Sequence, residues 1–222
     1  MREAFHDSLN HISDQLVEMT RLAGSAMTRA TTALLDADLA LAEGVIDGDA
    51  RIDEGRDRLE DQAIEILARQ QPVATDLRMV VTAMHMVASL ERMGDLAAHV
   101  AKVARLRYPL SAVPAEMRGL IVEADQVAAR LVIKAGSIIA AKDVTGAEQL
   151  NADDDQMDHL HKEVFRILAA DGWSHGVETA VDITLLARYY ERFADHAVSV
   201  ARNVEYLVTG VWHSRRPYAD VE

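Results

Sequence analysis

The amino-acid sequence predicts an all-α protein made of two tandem three-helix bundles related by an internal repeat. Half of the 222 residues are apolar but only 5% are aromatic, which suits helix packed on helix better than a sandwich or barrel. No segment shows the sustained alternation of a β-strand. A proline in a helix interior costs about 3 kcal/mol, and the chain's prolines all lie between the long periodic segments: Pro72, Pro109, Pro114 and Pro217.

Six helices follow one another between these breaks, roughly over residues 3–35, 38–70, 73–107, 115–142, 145–170 and 176–209. Aspartates near residues 36–38 and 143–146 mark turns. Thr145 with Glu148 fits a helix-capping box. The widest linker spans residues 108–114. We therefore expect the first bundle over residues 1–108, the second over 115–210, and a C-terminal tail over 211–222.

The two halves share a repeated sequence. Residues 91–101 and 191–201 are identical at six of eleven aligned positions, an offset of 100. The pair Asp49 and Asp53 aligns with Asp154 and Asp158 at an offset of 105. One three-helix unit used twice explains both matches.

Charge limits the classes of partner. The chain carries 23 basic and 36 acidic side chains, a formal net charge of −13, which opposes sequence-independent binding to nucleic acid. Zero cysteines exclude disulfides, thiolate metal sites and cysteine nucleophiles. The first residues lack the apolar segment of a signal peptide, and no uncharged stretch is long enough to cross a bilayer. We expect a cytoplasmic protein without a nucleic-acid partner.

Acidic pairs spaced four residues apart recur at matching places in both halves. Such residues share one helix face and repel each other unless something neutralises them. The third helix is apolar nearly all round, and the acids of the sixth share a stripe with apolar residues, which predicts that these acids are shielded from free water. If neighbouring helices turn these faces toward each other, four carboxylates meet in each half. The candidate metal ligands are Asp49, Asp53, Glu91 and Asp95 in the first half, and Asp154, Asp158, Glu191 and Asp195 in the second.

The chemistry of these clusters has more than one interpretation. Oxygen-rich sets suit magnesium, manganese or iron better than structural zinc. His161 shares the face of Asp154 and Asp158. Salt bridges are the alternative, since five arginines lie close in sequence: Arg51, Arg56, Arg78, Arg92 and Arg192. No phosphate-binding glycine loop, metalloprotease motif or nucleophile elbow is present, so we do not expect an enzyme.

Four stretches resemble a known family. Residues 71–78 and 91–95 resemble the first-repeat signature of the PhoU family, and residues 191–197 and 203–210 its second. The resemblance extends over about residues 5–210. The second repeat lacks a counterpart of residues 72–78, and Lys162 replaces Asp57 at the aligned position.

The resemblance implies a pair of three-helix bundles, usually homodimeric and cytoplasmic. It implies a non-enzymatic negative regulator of the phosphate-starvation response and phosphate uptake. Such a regulator is an adapter between the ATPase subunit of the phosphate-specific ABC transporter and a phosphate-sensing histidine kinase, and reaches the membrane only through these partners. It also implies an iron or zinc ion or cluster on the eight acids named above. The alternatives are a carboxylate-bridged metalloenzyme and a purely structural helical module whose acids are salt-bridged.

Overall fold

The computed structural model describes the backbone of residues 2–212 and the side chains of residues 7–212. The tail predicted over residues 211–222 therefore lies almost entirely outside the described residues. Within them the chain is helical, without a strand. The helices are α1 (Arg2–Asp36), α2 (Leu39–Gly48), α3 (Ala50–Gln70), α4 (Ala74–Arg107), α5 (Arg118–Ala141), α6 (Val144–Asp153), α7 (Asp155–Leu168) and α8 (Gly176–Thr209), with a 3₁₀ turn at Ala115–Met117. The predicted all-α fold class is confirmed.

The second and fifth predicted helices are each divided in two. Asp49 separates α2 from α3, and Asp154 separates α6 from α7. Both keep right-handed helical dihedral angles, so the chain continues in nearly the same direction through each break. The carbonyl of Asp49 accepts from Ile52 at 2.8 Å, as that of Asp154 does from Met157. Glycine and aspartate are weak helix formers, which accounts for interruptions that contain no proline.

Equivalent turns open the middle helices of both halves. Ala37 and Lys142 adopt positive φ angles of 51° and 52°. Each is followed by an N-cap aspartate, since Asp38 accepts a hydrogen bond from the Leu41 amide at 2.9 Å and Asp143 from the Gly146 amide at 3.0 Å. The capping box predicted at Thr145 is wrong, because Asp143 already caps this helix.

The two halves share one continuous hydrophobic core. Helix α1 packs against both α4 and α5, and α4 packs against α8. These last two helices are antiparallel. At one end Arg107 of α4 donates to the carboxylate of Asp182 near the start of α8, and at the other Gly210 lies against Arg78. Residues of α4 and α8 that match in the repeat consequently lie on opposite sides of this central pair.

A buried polar network fastens α8 to α1 and α5. The Tyr190 hydroxyl lies 2.6 Å from the Thr31 hydroxyl, which also donates to the Asp125 carboxylate at 3.1 Å. Burial raises the pKa of Tyr190, so the hydroxyl stays neutral. Leu90 holds the matching position in the first half and is fully buried.

Removing the Tyr190 hydroxyl should destabilise the protein modestly. Tyr190→Phe leaves Thr31 with one partner fewer in a site closed to water, and we expect a loss of about 1 kcal/mol in the free energy of unfolding. Urea denaturation measures this loss. Tyr189→Phe, at a partly buried neighbour, is the control, and an equal loss there would contradict the assigned network.

Candidate functional site

The four acids predicted in the first half face one another across α3 and α4. The side chains of Glu91 and Asp95 are 13% and 33% exposed, and that of Asp53 is 48% exposed. Burial together with the charges of Asp95, Asp53 and Glu91 raises the pKa of Asp49 to about 6. Four carboxylates therefore lie close enough to repel one another, as the facial geometry predicts.

The second half forms the same cluster between α7 and α8. Burial, followed by the charges of Asp195, Asp158 and Glu191, raises the pKa of Asp154 to about 7. Burial and the charge of Glu191 raise the pKa of Asp195 to about 6. The pKa of Glu191, whose side chain is 15% exposed, is raised chiefly by burial.

Both clusters open to solvent on one side. Asp158 and Asp195 are exposed residues, while Asp154 and Glu191 are partly buried. The expectation that these acids are shielded from water therefore holds only in part. Each cluster lies at the edge where two helices meet, so its carboxylates are desolvated on the side of the helices and reach water on the other side.

Arginines neutralise part of each cluster, as the salt-bridge alternative anticipates. Arg56 pairs with Glu91 at 2.9 Å and with Asp53 at 3.6 Å, and Arg92 pairs with Asp95 at 2.6 Å. In the second half this role belongs to Arg188, which pairs with Glu191. The sequence interpretation overlooked Arg188, although its spacing of three residues from Glu191 is a usable signal. Arg78 is directed elsewhere and donates to Thr75.

One difference between the two clusters lies in a basic residue at an aligned position. Arg56 in the first half corresponds to His161 in the second, at the offset of 105 that also relates Asp49 to Asp154. His161 lies near Asp158 and Asp195, and its Nε2 atom is buried without a hydrogen-bond partner. Burial lowers the pKa of His161, which favours the neutral imidazole that binds metals.

The donor set of the second cluster fits a metal ion better than that of the first. Carboxylates with a neutral imidazole suit iron, manganese or zinc, although Arg188 must release Glu191 before that acid can bind a metal. In the first half Arg56 pairs with both Glu91 and Asp53, and it stands where the second half has the imidazole. Among the residues the structure describes, no three acidic or histidine side chains already surround one point as ligands do. The eight predicted metal ligands thus form two clusters, and metal binding stays a prediction.

Gly94 brings α3 and α4 into close contact beside the first cluster. A Cβ atom at this position would lie 2.8 Å from a carboxylate oxygen of Asp49 and 2.8 Å from the end of Ile52. Ala194 occupies the aligned position in the second half and is fully buried. The absence of a side chain at Gly94 therefore allows Asp49 to pack directly against the backbone of α4.

A larger side chain at position 94 should push Asp49 outward. We expect Gly94→Val to reduce the free energy of unfolding by about 1–2 kcal/mol through overpacking. Gly119→Val is the control, because a Cβ there meets no atom within 4 Å, and its effect should stay within about 0.5 kcal/mol. Thermal and urea denaturation of both variants test this, and equal effects would contradict the close contact.

Comparison with known proteins places the repeat in a family. The model of the PhoU domain matches the chain twice, at residues 16–104 and 121–204. These two matches fall on α1–α4 and on α5–α8 and cover most of the chain. The chain belongs to the PhoU family. The resemblance seen in the four sequence motifs is thereby confirmed.

Several PhoU proteins are similar over nearly the whole chain. The phosphate-specific transport system accessory protein PhoU homolog 2 of Mycobacterium tuberculosis is 50% identical over 212 residues, covering 96% of this chain and all of the relative. The PhoU homolog 1 of Mycobacterium leprae is 50% identical over 210 residues, covering 95% of each chain. These relatives are named as accessory proteins of transport, and the family is non-enzymatic, as the absence of catalytic motifs predicts.

Solved structures support the same fold. The crystal structure of PhoU from Pseudomonas aeruginosa has a TM-score of 0.82 and 28% identity, covering 93% of this chain and all of that one. The phosphate transport system regulatory protein PhoU from Streptococcus pneumoniae has a TM-score of 0.84 at 24% identity, and shows the fold alone.

Proposed function

We propose that this PhoU protein is an accessory regulator of a phosphate-specific transport system and represses the phosphate-starvation response. The observation that supports this most strongly is the 50% identity over 212 residues to an accessory protein of that system. In this proposal it acts in the cytoplasm, docks on the ATPase subunit of the transporter, and conveys transporter activity to a sensor histidine kinase. Plentiful phosphate then favours the phosphatase activity of the kinase.

Two matching apolar stripes are suitable docking surfaces. Val177, Val181 and Leu185 on α8 are 80%, 50% and 41% exposed. In the first half Val73, Leu77 and Val81 are 73%, 40% and 38% exposed at the start of α4. Exposed apolar residues at consecutive turns of one face are typical of protein contact sites. We propose that these stripes contact the transporter.

The charge of the chain favours partners with basic surfaces. A formal net charge of −13 attracts such partners and makes the association rate sensitive to salt. No helix within residues 2–212 combines the length and the hydrophobicity needed to span a bilayer. Contact with the membrane through the transporter is consistent with this finding.

We also propose that the chain forms a homodimer through a groove between α1 and α5. This groove encloses about 650 Å³, is lined by Gly24, Val132 and Gly136, and has the 70% exposed Ile133 at its rim. Ile133→Glu should convert the dimer into a monomer. Light scattering after gel filtration measures the mass, and a monomeric parent protein would contradict the proposal.

Metal, where bound, would have a structural role in this proposal. Asp154, Asp158, Glu191, Asp195 and His161 would hold it, and the ion would offset the repulsion between their carboxylates. Manganese, iron or zinc added to chelator-treated protein should raise the melting temperature. The rise should be smaller in Asp154→Asn than in Asp155→Asn, an exposed neighbour. An unchanged melting temperature and no metal by elemental analysis would contradict metal binding but leave the regulatory role intact.

Deletion in the host tests the regulatory role. Cells without this protein should express phosphate-starvation genes in phosphate-rich medium, and the intact gene should restore repression. A variant with Val177→Glu and Val181→Glu should fail to restore it. Ile64→Glu, at a 56% exposed residue outside both stripes, is the control. Continued repression in a host deleted of every PhoU copy would contradict the proposed function.

A further inference from the structure

A polar cavity lies between α4 and α8, beside the first acidic cluster. It encloses about 540 Å³, within the usual range for small-molecule sites. Its walls are formed by one face of each helix, with Ser89 and Arg92 on α4 and Ser199 and Asn203 on α8, and Trp212 lies at its edge. We call it the α4–α8 cavity.

Comparison of the two sequence repeats explains why there is a cavity beside the first acidic cluster. The positions of Ala88 and Ser89 on α4 correspond to Arg188 and Tyr189 on α8. On the opposite side of the central pair those larger side chains occupy space, since Tyr189 packs on His99 with ring centroids 5.3 Å apart and Arg188 pairs with Glu191. Small residues in the first half leave the corresponding space unfilled.

The lining holds more arginines than acids, although the protein is acidic. Three arginines, Arg56, Arg92 and Arg202, line the cavity with two glutamates, Glu91 and Glu205, in a chain whose formal net charge is −13. Arg56 and Arg92 also pair with acids of the first cluster, so Arg202 is the arginine whose charge is not shared with that cluster. Arg202 donates to the neutral amide oxygen of Asn151 at 2.6 Å. The Ser199 hydroxyl adds a hydrogen-bond donor, whereas the Ser89 hydroxyl already donates to the His85 carbonyl at 3.2 Å. His85 and His196 also line the cavity. This donor-rich wall suits an anion.

Asn203 adds one buried acceptor. It is 4% exposed, and its Nδ2 atom donates to the Ser199 carbonyl at 2.8 Å. A carbonyl can only accept, so this contact fixes the orientation of the amide and leaves Oδ1 as an acceptor. That oxygen is buried without a partner. Because unpaired buried acceptors are costly, a ligand here should present a donor such as a hydroxyl.

We propose that the α4–α8 cavity binds a small phosphorylated hydroxy compound, of the sugar phosphate class. Arginines from three helices and the Ser199 hydroxyl provide more donors than a carboxylate with two oxygens uses, and they suit the three terminal oxygens of a phosphate monoester. The volume exceeds that of a free phosphate ion, and Asn203 Oδ1 accepts from a hydroxyl of the organic part. This site is independent of the proposed docking on a transporter.

Ribose 5-phosphate is the probe, with inorganic phosphate, sulfate and ribose as comparisons. The chain has two tryptophans, so Trp173→Phe leaves Trp212, at the edge of the cavity, as the only tryptophan, and excitation at a wavelength selective for tryptophan reports on it alone. Calorimetry on the unmodified protein checks the result. We expect ribose 5-phosphate to bind at least about tenfold more tightly than each comparison. No binding, or equal binding of inorganic phosphate, would overturn the proposal.

Variants locate the binding. Arg202→Gln should weaken binding about tenfold, whereas Lys102→Gln, at the matching position on the opposite side, should change it less than about twofold. Ser89→Tyr should abolish binding by filling the space as Tyr189 does. Ser89 is only 9% exposed, so circular dichroism must show that Ser89→Tyr folds. If it does not fold, Arg202→Gln decides, and an unchanged affinity in that variant overturns the proposal.

Discussion

Phe193→Ala should destabilise the whole protein by about 3–5 kcal/mol, the range for truncating a buried aromatic side chain. Phe193 lies on α8 and is fully buried, and Met93, its counterpart on α4, is fully buried too. Both belong to the core that the two halves share. The loss should therefore appear in a single unfolding transition that includes both repeats.

Urea denaturation followed by circular dichroism measures this loss. Phe165→Ala is the control, because Phe165 is 45% exposed and its ring contacts that of His161, with ring centroids 4.9 Å apart. It should cost less than about 1 kcal/mol. A loss below about 1 kcal/mol for Phe193→Ala, or separate transitions for the two halves, would contradict the shared core.

Asp154→Asn should stabilise the metal-free protein increasingly as the pH rises. The pKa of Asp154 in the folded state is about 7, above its ordinary value of 3.8. Between these values the folded state holds a proton that the unfolded state releases, so this carboxyl lowers stability as the pH rises through about 7. Asparagine stays neutral throughout and avoids that loss.

Between pH 5 and pH 8, the free energy of unfolding of Asp154→Asn should rise by about 1–2 kcal/mol relative to that of the parent protein. A shift of this size in a fully buried group would correspond to about 4 kcal/mol, but solvent screening at a partly exposed carboxyl reduces it. Burial lowers the pKa of His196 to about 4, an effect of opposite sign below about pH 6.5. Comparing variant with parent at each pH cancels it.

Denaturation with chelator present at both pH values gives this difference. Asp171→Asn provides the control, since Asp171 is an exposed residue beyond the far end of α7 from Asp154. Its difference from the parent should be the same at pH 5 and pH 8. A gain for Asp154→Asn that does not grow with pH would contradict the crowding of charge around Asp154.

The order of the helices could be predicted because proline and aspartate mark the turns locally. The breaks at Asp49 and Asp154 could not, because both residues keep helical dihedral angles and only the hydrogen-bond pattern changes. The meeting of four carboxylates in each half followed from their shared helix faces and from the repeat. The exposure of Asp158 and Asp195 could not be predicted. It depends on how far the contact between neighbouring helices extends, and the sequence of one helix does not determine this.

The α4–α8 cavity could not be predicted from the sequence for a related reason. Ala88 and Ser89 are small residues on a helix rich in them, and nothing local distinguishes them. The effect of these small residues becomes clear only once α4 is known to pack against α8. On the other side of this helix pair, the larger side chains of Arg188 and Tyr189 fill the matching space. Likewise, the aligned repeats show that Arg56 is replaced by His161. Only the structure shows that the Nε2 atom of His161 is buried without a hydrogen-bond partner.

Carbon-13 NMR titration of the aspartate carboxyls in metal-free protein tests whether the acids of each half converge at a partly desolvated point. We expect a pKa of about 7 for Asp154 and about 6 for Asp49 and Asp195. Midpoints near 4 for all three carboxyls would show that they are separate and fully hydrated, and would contradict this convergence.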